Sequence, residues 1–237
     1  MKNMMPERTM IYSDSKTWYT DAPKAAQISE WHLEFIKKYS GKKVLDLGCA
    51  TGNYGVELKR SGFDWVGADI NKKYVEMARH EGLEAHVVGE TLPFPDRSFD
   101  TVILIEVLEH ASGPGKILDE ARRVARRNIL VTVPDCAGLE ELRSGGLTYE
   151  HFLETDHVNF FTKASLEKLL SVYSDDVKVG QARPIRPWLF CEKPFPKGIL
   201  SVIIRKAVSL SVRMGFLEPK YYISLYAVVN FQDTNGK

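Results

Sequence analysis

Between Lys43 and Val133 apolar residues come in short runs, separated by stretches whose apolar positions recur at helical spacing. Val44-Leu45-Asp46-Leu47 reads as a short buried strand, followed by a glycine turn and a helix over Tyr54 to Ser61. Trp65 to Ile70 is the next strand, and Lys72 to Glu81 the next helix, with Asn71 placed to cap it. Glu84 to Val88 gives a third strand. Leu92-Pro93-Phe94-Pro95-Asp96 is a loop, because two prolines one residue apart exclude both helix and central strand. Phe99 to Ile105 is a fourth, strongly apolar strand. A helix over Pro114 to Ala125 leads to a fifth strand, Asn128 to Val133, closed by Pro134. This alternation predicts an α/β fold: a Rossmann-like, mostly parallel seven-stranded sheet with helices on both faces and an antiparallel last strand. Right-handed crossovers bring the strand carboxyl ends to one edge, where the binding crevice lies.

The flanks are less regular. Tyr12, Trp18 and Tyr19 sit in a polar N-terminal arm, and Ala25 to Tyr39 carries Ile28, Trp31, Phe35 and Ile36 at helical spacing, ended by Gly41. Asp135 to Asn159 is a long polar connection, and Thr162 starts a helix to Val172. Asp176 to Val179 reads as an edge strand, and Gln181 to Lys197, with four prolines, as irregular. Leu200 to Met214 is helical and Tyr222 to Val229 is a final strand. In that helix Arg205, Lys206 and Arg213 form a loose polar side, with Ile199, Val202, Ile203, Val208 and Leu210 elsewhere. Packing on the sheet is the expected outcome; a lid, a membrane-surface helix and a nucleic-acid contact are the alternatives. One domain over 1–237 follows: an arm and helix (1–40), a cofactor-binding core (43–134), and substrate-side or lid segments (135–160 and 181–220).

Composition changes this picture little. A length of 237 residues suits a single core. Thirty-two basic against 31 acidic residues, net charge +1, give no reason to begin with a polyanionic partner. Cys49, Cys136 and Cys191 lie far apart, which excludes a disulfide scaffold or a cysteine-rich zinc site and points to a reducing compartment. Met1 to Thr20 has no apolar core of the secretory kind, and Gly198 to Phe216 is interrupted by three cations. The expectation is a cytoplasmic chain without a membrane span.

The chemistry gathers at the strand exits. Gly48 and Gly52 bracket a tight strand-to-helix turn, where positive φ and close approach of a ligand both favour glycine. The helix after it should aim unpaired N–H groups into the turn. Asp46 lies inside the first strand, an expensive place for a carboxylate unless something hydrogen-bonds it. Asp69 ends the second strand, 17 residues beyond Gly52, where an acid can accept both hydroxyls of a ribose. No GxxxxGK[ST] loop is present. A nicotinamide-dependent dehydrogenase would also suit a glycine turn plus an acid, but its second glycine is here Ala50.

Val44 to Gly52 resembles the first motif of class I S-adenosylmethionine-dependent methyltransferases, and Asp69 matches their ribose-binding acid. Gly89-Glu90-Thr91-Leu92-Pro93-Phe94 is similar to their adenine-covering loop, and Ser98 to Val102 with Glu106-Val107-Leu108-Glu109-His110 to their fourth-strand signature. The resemblance implies S-adenosyl-L-methionine as cofactor. It would be contacted by Asp46, Gly48, Cys49, Ala50, Gly52, Tyr54, Asp69, Ile70, Glu90, Thr91 and Glu106. It implies methyl transfer to a small or medium-sized acceptor, with a non-catalytic cofactor-binding relative as the contrasting case.

Glu106, Glu109 and His110 would share one side of a helix if the chain turned helical directly after the fourth strand. With His157 from the long connection they could ligate a divalent cation. The Glu-x-x-Glu-His spacing, with Asp156-His157-Val158-Asn159-Phe160-Phe161-Thr162, resembles in part the metal site of small-RNA 3′-terminal ribose methyltransferases, which implies RNA as an alternative acceptor. A metal is not the favoured reading. Without one, His110 and His157 are the general-base candidates and, with Glu106, the catalytic set. Two glutamates and two histidines tilt the acceptor toward oxygen.

Overall fold

The computed structural model describes residues 28–137, 157–184, 199–214, 216 and 222–232. In chain order it has α1 (Glu30–Tyr39), β1 (Lys43–Leu47), α2 (Asn53–Arg60), β2 (Asp64–Asp69), α3 (Lys72–His80), β3 (Ala85–Val87) and β4 (Phe99–Ile105). A 3-10 turn (Leu108–His110), α4 (Pro114–Val124), β5 (Ala125–Pro134), α5 (Lys163–Leu170), β6 (Asp176–Pro184), α6 (Ile199–Arg213) and β7 (Tyr222–Asn230) complete it. The seven-stranded sheet has the order β3-β2-β1-β4-β5-β7-β6. All pairs from β3 to β5 are parallel, and β7 is antiparallel to both its neighbours. Chain order reverses between β1 and β4, and the crevice outside their carboxyl ends is where such sheets bind ligands.

Alternation along the strands splits the core in two. Leu45, Leu47, Val66 and Ala68 pack with Leu118 and Ala121 of α4 and Leu166 and Leu170 of α5. Val44 and Trp65 pack with Phe35 and Ile36 of α1, Leu58 of α2, and Val75 and Ala78 of α3. Polar ties fix α1 across the second face. Gly41 N–H donates to the Thr101 hydroxyl (2.9 Å), and the Asn128 side-chain amide donates to Tyr39 carbonyl (2.9 Å). With its end held at the strands' amino edge, α1 directs its first turn toward their carboxyl edge. The loop between β3 and β4 is clamped to α4 by Arg123, which donates to the Leu92 and Phe94 carbonyls and to Asp96 and Glu120.

Several boundaries differ from expectation for local reasons. Helix α1 starts at Glu30 rather than Ala25, because Ser29 takes extended backbone and its hydroxyl caps His32 N–H. Strand β6 continues to Pro184, not Val179; at a sheet edge a proline costs no ladder bond. Strand β5 spans Ala125 to Pro134, and its terminal proline still pairs with Ser224. The chain after β4 forms one 3-10 turn instead of a helix, so Glu106 stands outside it. Among the described side chains of helix α6, Ile199, Val202, Ile203 and Leu210, expected to pack, are more than half exposed. No helix among the described residues is long and apolar enough to cross a membrane. The arm aromatics Tyr12, Trp18 and Tyr19, His151, and residues 138–156, 185–198, 215 and 217–220 of the 135–160 and 181–220 segments lie outside the described residues.

Candidate functional site

The glycine turn is built around Trp65. A Cβ on Gly67 would lie 2.5 Å from its indole, on Gly55 2.7 Å and on Gly52 3.3 Å, so three glycines shape a slot for one buried ring. From that slot Trp65 Nε1–H donates to Asp46 Oδ2 (3.1 Å), the partner a buried carboxylate requires. Burial nevertheless pushes the Asp46 carboxyl up to about 7; the indole bond opposes that rise and the Asp69 charge adds to it. Gly48 and Gly52 have φ of 85° and 78°, the left-handed region, and Ala50 shares it at 45°. The Val107 side chain packs directly on Gly48.

The turn's amides are not the free cradle its sequence suggests. Gly48 and Cys49 N–H both donate to Ala68 carbonyl (2.8 and 3.1 Å), and Gly52 N–H to Cys49 carbonyl (2.9 Å). These bonds hold the turn against β2, a requirement that spacing alone does not reveal. Asp69 Oδ2 accepts from Ala50 N–H and Oδ1 from Asn71 N–H, both at 2.8 Å, with Ile70 N–H a third backbone donor to the carboxylate, so the acid ending β2 faces the turn. Burial raises its pKa, against the pull of these backbone donors. Cys49 points into the core toward Gly67, and burial, with Asp46 and Asp69 nearby, pushes its thiol far up. Ile70 is exposed, as are Glu90 and Thr91; Glu90 pairs with Lys116 of α4 at 3.3 Å.

Glu106 leaves β4 with φ of 54°, its N–H held by the Thr132 carbonyl (3.1 Å) and hydroxyl (3.2 Å). That backbone separates it from Glu109 and His110 and brings its Oε1 to 3.7 Å from His32 Nε2 on α1. His32 has no part in the sequence reading. Its signal is a polar residue at a core position of the α1 stripe, in step with Phe35 and Ile36. Tyr54, in the first turn of α2, places its hydroxyl 3.0 Å from His32 Nδ1.

Glu109, His110 and His157 do converge. One ligand atom from each lies within 4.8 Å of the others, and the two imidazole centroids are 4.7 Å apart. The neighbours of His157 explain its position. Val158 and Asn159 N–H both donate to Glu109 carbonyl (2.8 and 3.0 Å), while the Asn159 amide donates to the Leu108 and Ala111 carbonyls (2.8 and 2.6 Å). Replacing Asn159 by Ala is expected to cost about 1–3 kcal/mol, since two turn carbonyls lose their donor; urea unfolding midpoints test this. One carboxylate and two imidazoles suit a divalent cation in kind. Their spread exceeds the roughly 3.3 Å edge of a tetrahedron built on bonds near 2.0–2.1 Å. Glu106 does not belong to the set.

Comparison with known proteins agrees with this geometry. Over 111 residues the chain is 32% identical to the ubiquinone biosynthesis O-methyltransferase of Hahella chejuensis, covering 42% of this chain and 47% of that protein. Over 128 residues it is 30% identical to the demethylmenaquinone methyltransferase of Thermotoga maritima (52% and 56%). The chain thus spans about half the length of these curated relatives. The crystal structure of an S-adenosylmethionine-dependent methyltransferase from Archaeoglobus fulgidus shares the fold, with a TM-score of 0.61 at 17% identity, covering 86% of this chain and 94% of that one. Residues 22–173 match the family described as a methyltransferase domain, and with the β3-β2-β1-β4-β5-β7-β6 sheet around the glycine turn this chain belongs to the class I S-adenosylmethionine-dependent methyltransferases.

Proposed function

We propose that the chain transfers the methyl group of S-adenosylmethionine to an oxygen of a small or medium-sized acceptor. The observation that carries this reading is the position of two imidazoles, His110 and His157, at the strand edge that also holds the glycine turn and Asp69. The sulfonium is already a strong methyl donor, so the protein's task is alignment and exclusion of water. As the acceptor oxygen bonds to the methyl carbon, the carbon–sulfur bond breaks and the sulfur departs as a neutral thioether. The hydroxyl proton passes to a neutral imidazole. The O-methyltransferase among the relatives supports an oxygen acceptor. A cytoplasmic setting accords with Cys49 and Cys136, both buried free thiols.

Titration calorimetry with S-adenosylmethionine and S-adenosylhomocysteine tests the premise, and labelled-methyl transfer into extracted metabolites tests the reaction. Replacing the histidine that serves as base by Ala, His110 or His157, is expected to lower transfer by about 10²–10⁴ with donor affinity unchanged. Absence of heat with both ligands would sink the reading.

The convergence of Glu109, His110 and His157 favours a second reading, metal-assisted 2′-O-methylation of an RNA 3′-terminal ribose. Those three residues would hold a divalent cation, which when bound lowers the pKa of the acceptor hydroxyl. Elemental analysis of the purified protein beside His157→Ala decides: stoichiometric metal lost in the variant supports it, and none in either removes it.

A further inference from the structure

We propose that His32 is a positioning residue for Glu106, orienting that carboxylate toward the amino-acid end of the methyl donor; this rests on the donor reading above. His32 is 4% exposed, enclosed by α1, α2 and the exit of β4. Ser29 N–H donates to the Tyr54 hydroxyl oxygen (3.4 Å), and that hydroxyl lies 3.0 Å from His32 Nδ1, where we assign it as the donor. With Nδ1 accepting, the neutral ring carries its proton on Nε2. That N–H is buried without a hydrogen-bond partner and faces Glu106 Oε1 at 3.7 Å, slightly beyond bonding reach. A small movement of the Glu106 side chain satisfies it, and a buried unsatisfied donor favours that movement.

The charges around the pair match the donor's amino-acid end. Glu106 borders the glycine turn through Val107, which packs on Gly48, and offers a carboxylate to an ammonium. Arg183 of β6 lies within electrostatic range of His32 and adds a cation to the surroundings of the pair. Burial, then Arg183, hold His32 down to a pKa of about 4, so at neutral pH the ring is uncharged. An imidazolium there would be a permanent counter-ion for Glu106 and would compete with the ligand's ammonium. A neutral N–H orients the carboxylate without cancelling its charge.

The test compares two ligands on the intact chain: S-adenosylhomocysteine, and 5′-methylthioadenosine, which keeps the adenosine and sulfur but lacks the amino acid. His32→Phe is expected to weaken S-adenosylhomocysteine by about tenfold or more and 5′-methylthioadenosine by less than about twofold. His32→Gln, which returns an N–H near the Nε2 position, should recover most of the loss. Equal losses for both ligands, no loss, or a Gln variant as weak as Phe overturns the proposal and leaves His32 a packing residue. If the unaltered chain binds neither ligand, the donor reading itself falls and takes this one with it. Should His32→Phe fail to fold, the ligand difference in His32→Gln and in Tyr54→Phe, which frees the tautomer, decides in its place.

Discussion

Trp65→Ala is expected to leave the protein close to its unfolding threshold. The indole is almost fully buried in the slot formed by Gly52, Gly55 and Gly67. Emptying such a slot costs about 3–5 kcal/mol, the larger figure applying where the walls cannot collapse. Here the walls are glycine backbone belonging to strand β2, helix α2 and the turn that leads from β1 into α2, so collapse is hindered. Losing the indole N–H also leaves Asp46 a buried acceptor without its donor, a further cost of about 1–3 kcal/mol. Against a total stability of about 5–15 kcal/mol the sum is severe.

Urea unfolding of Trp65→Ala and Trp65→Phe measures the two parts separately, because Phe restores volume but no donor. Gly67→Ala supplies the converse, since its Cβ would fall 2.5 Å from the ring and 2.7 Å from Cys49 Sγ. In the Trp65→Ala background the part of the Gly67→Ala cost due to the ring should vanish and the contact with Cys49 Sγ should remain, a coupling that a double-mutant cycle resolves. Losses that simply add would mean the ring and the glycines do not share one slot.

The same slot shows what the sequence displays and what it conceals. Gly48, Gly52, Asp46 and Asp69 are legible because their roles follow from position: a turn between strand and helix needs backbone freedom, and a carboxylate at a strand exit needs a reason. Gly55 and Gly67 are not, because their reason is a side chain packed from elsewhere. Strand β4 has its expected bounds because a continuous apolar run, closed by a charged exit, has one reading. Asn71 and Thr162 cap the helices they should, their side chains accepting N–H groups two or three residues on.

The edge beyond β4 is harder to read. Helical spacing groups Glu106 with Glu109 and His110, yet one residue with positive φ divides them, and a non-glycine there gives no local warning. Glu106 instead meets His32, 74 residues earlier in the chain. His157 is the opposite case. Its approach to His110 is not a matter of spacing but of Asn159, whose amide binds two carbonyls of the 3-10 turn region. Asn159, a position where the sequence departs from the small-RNA methyltransferase pattern, thus holds His157 in place.

Asp46→Asn is expected to make the ligand-free protein more stable above neutral pH while weakening the donor site. The carboxyl's pKa stands at about 7 in the fold, raised by burial from 3.8. Between those values the folded state binds the proton and the unfolded state does not, so stability falls as pH rises. The contribution is fully present below the unfolded value and gone once pH has passed through about 7. Roughly three pKa units correspond to about 4 kcal/mol at most. Asn keeps an acceptor for the Trp65 N–H and does not titrate, so the variant's advantage should grow from pH 5 to pH 8. Measurement in that window avoids the carboxylates shifted the other way, Asp100 and Glu120, whose titration lies in acid. Asp69 is also raised, with the same sign, but is present in both proteins and cancels in the difference. The charge that destabilises the empty fold is what a sulfonium and an ammonium would meet, and a cation nearby favours the ionised form. Donor affinity should therefore rise with pH through neutrality in the unaltered protein, stay flat in Asp46→Asn, and be lower there by about tenfold or more at pH 8. A variant that gains stability yet binds the donor as before would show Asp46 to be a structural carboxylate only. One that loses stability at pH 8 would show that Asp46 is not held against its charge at all.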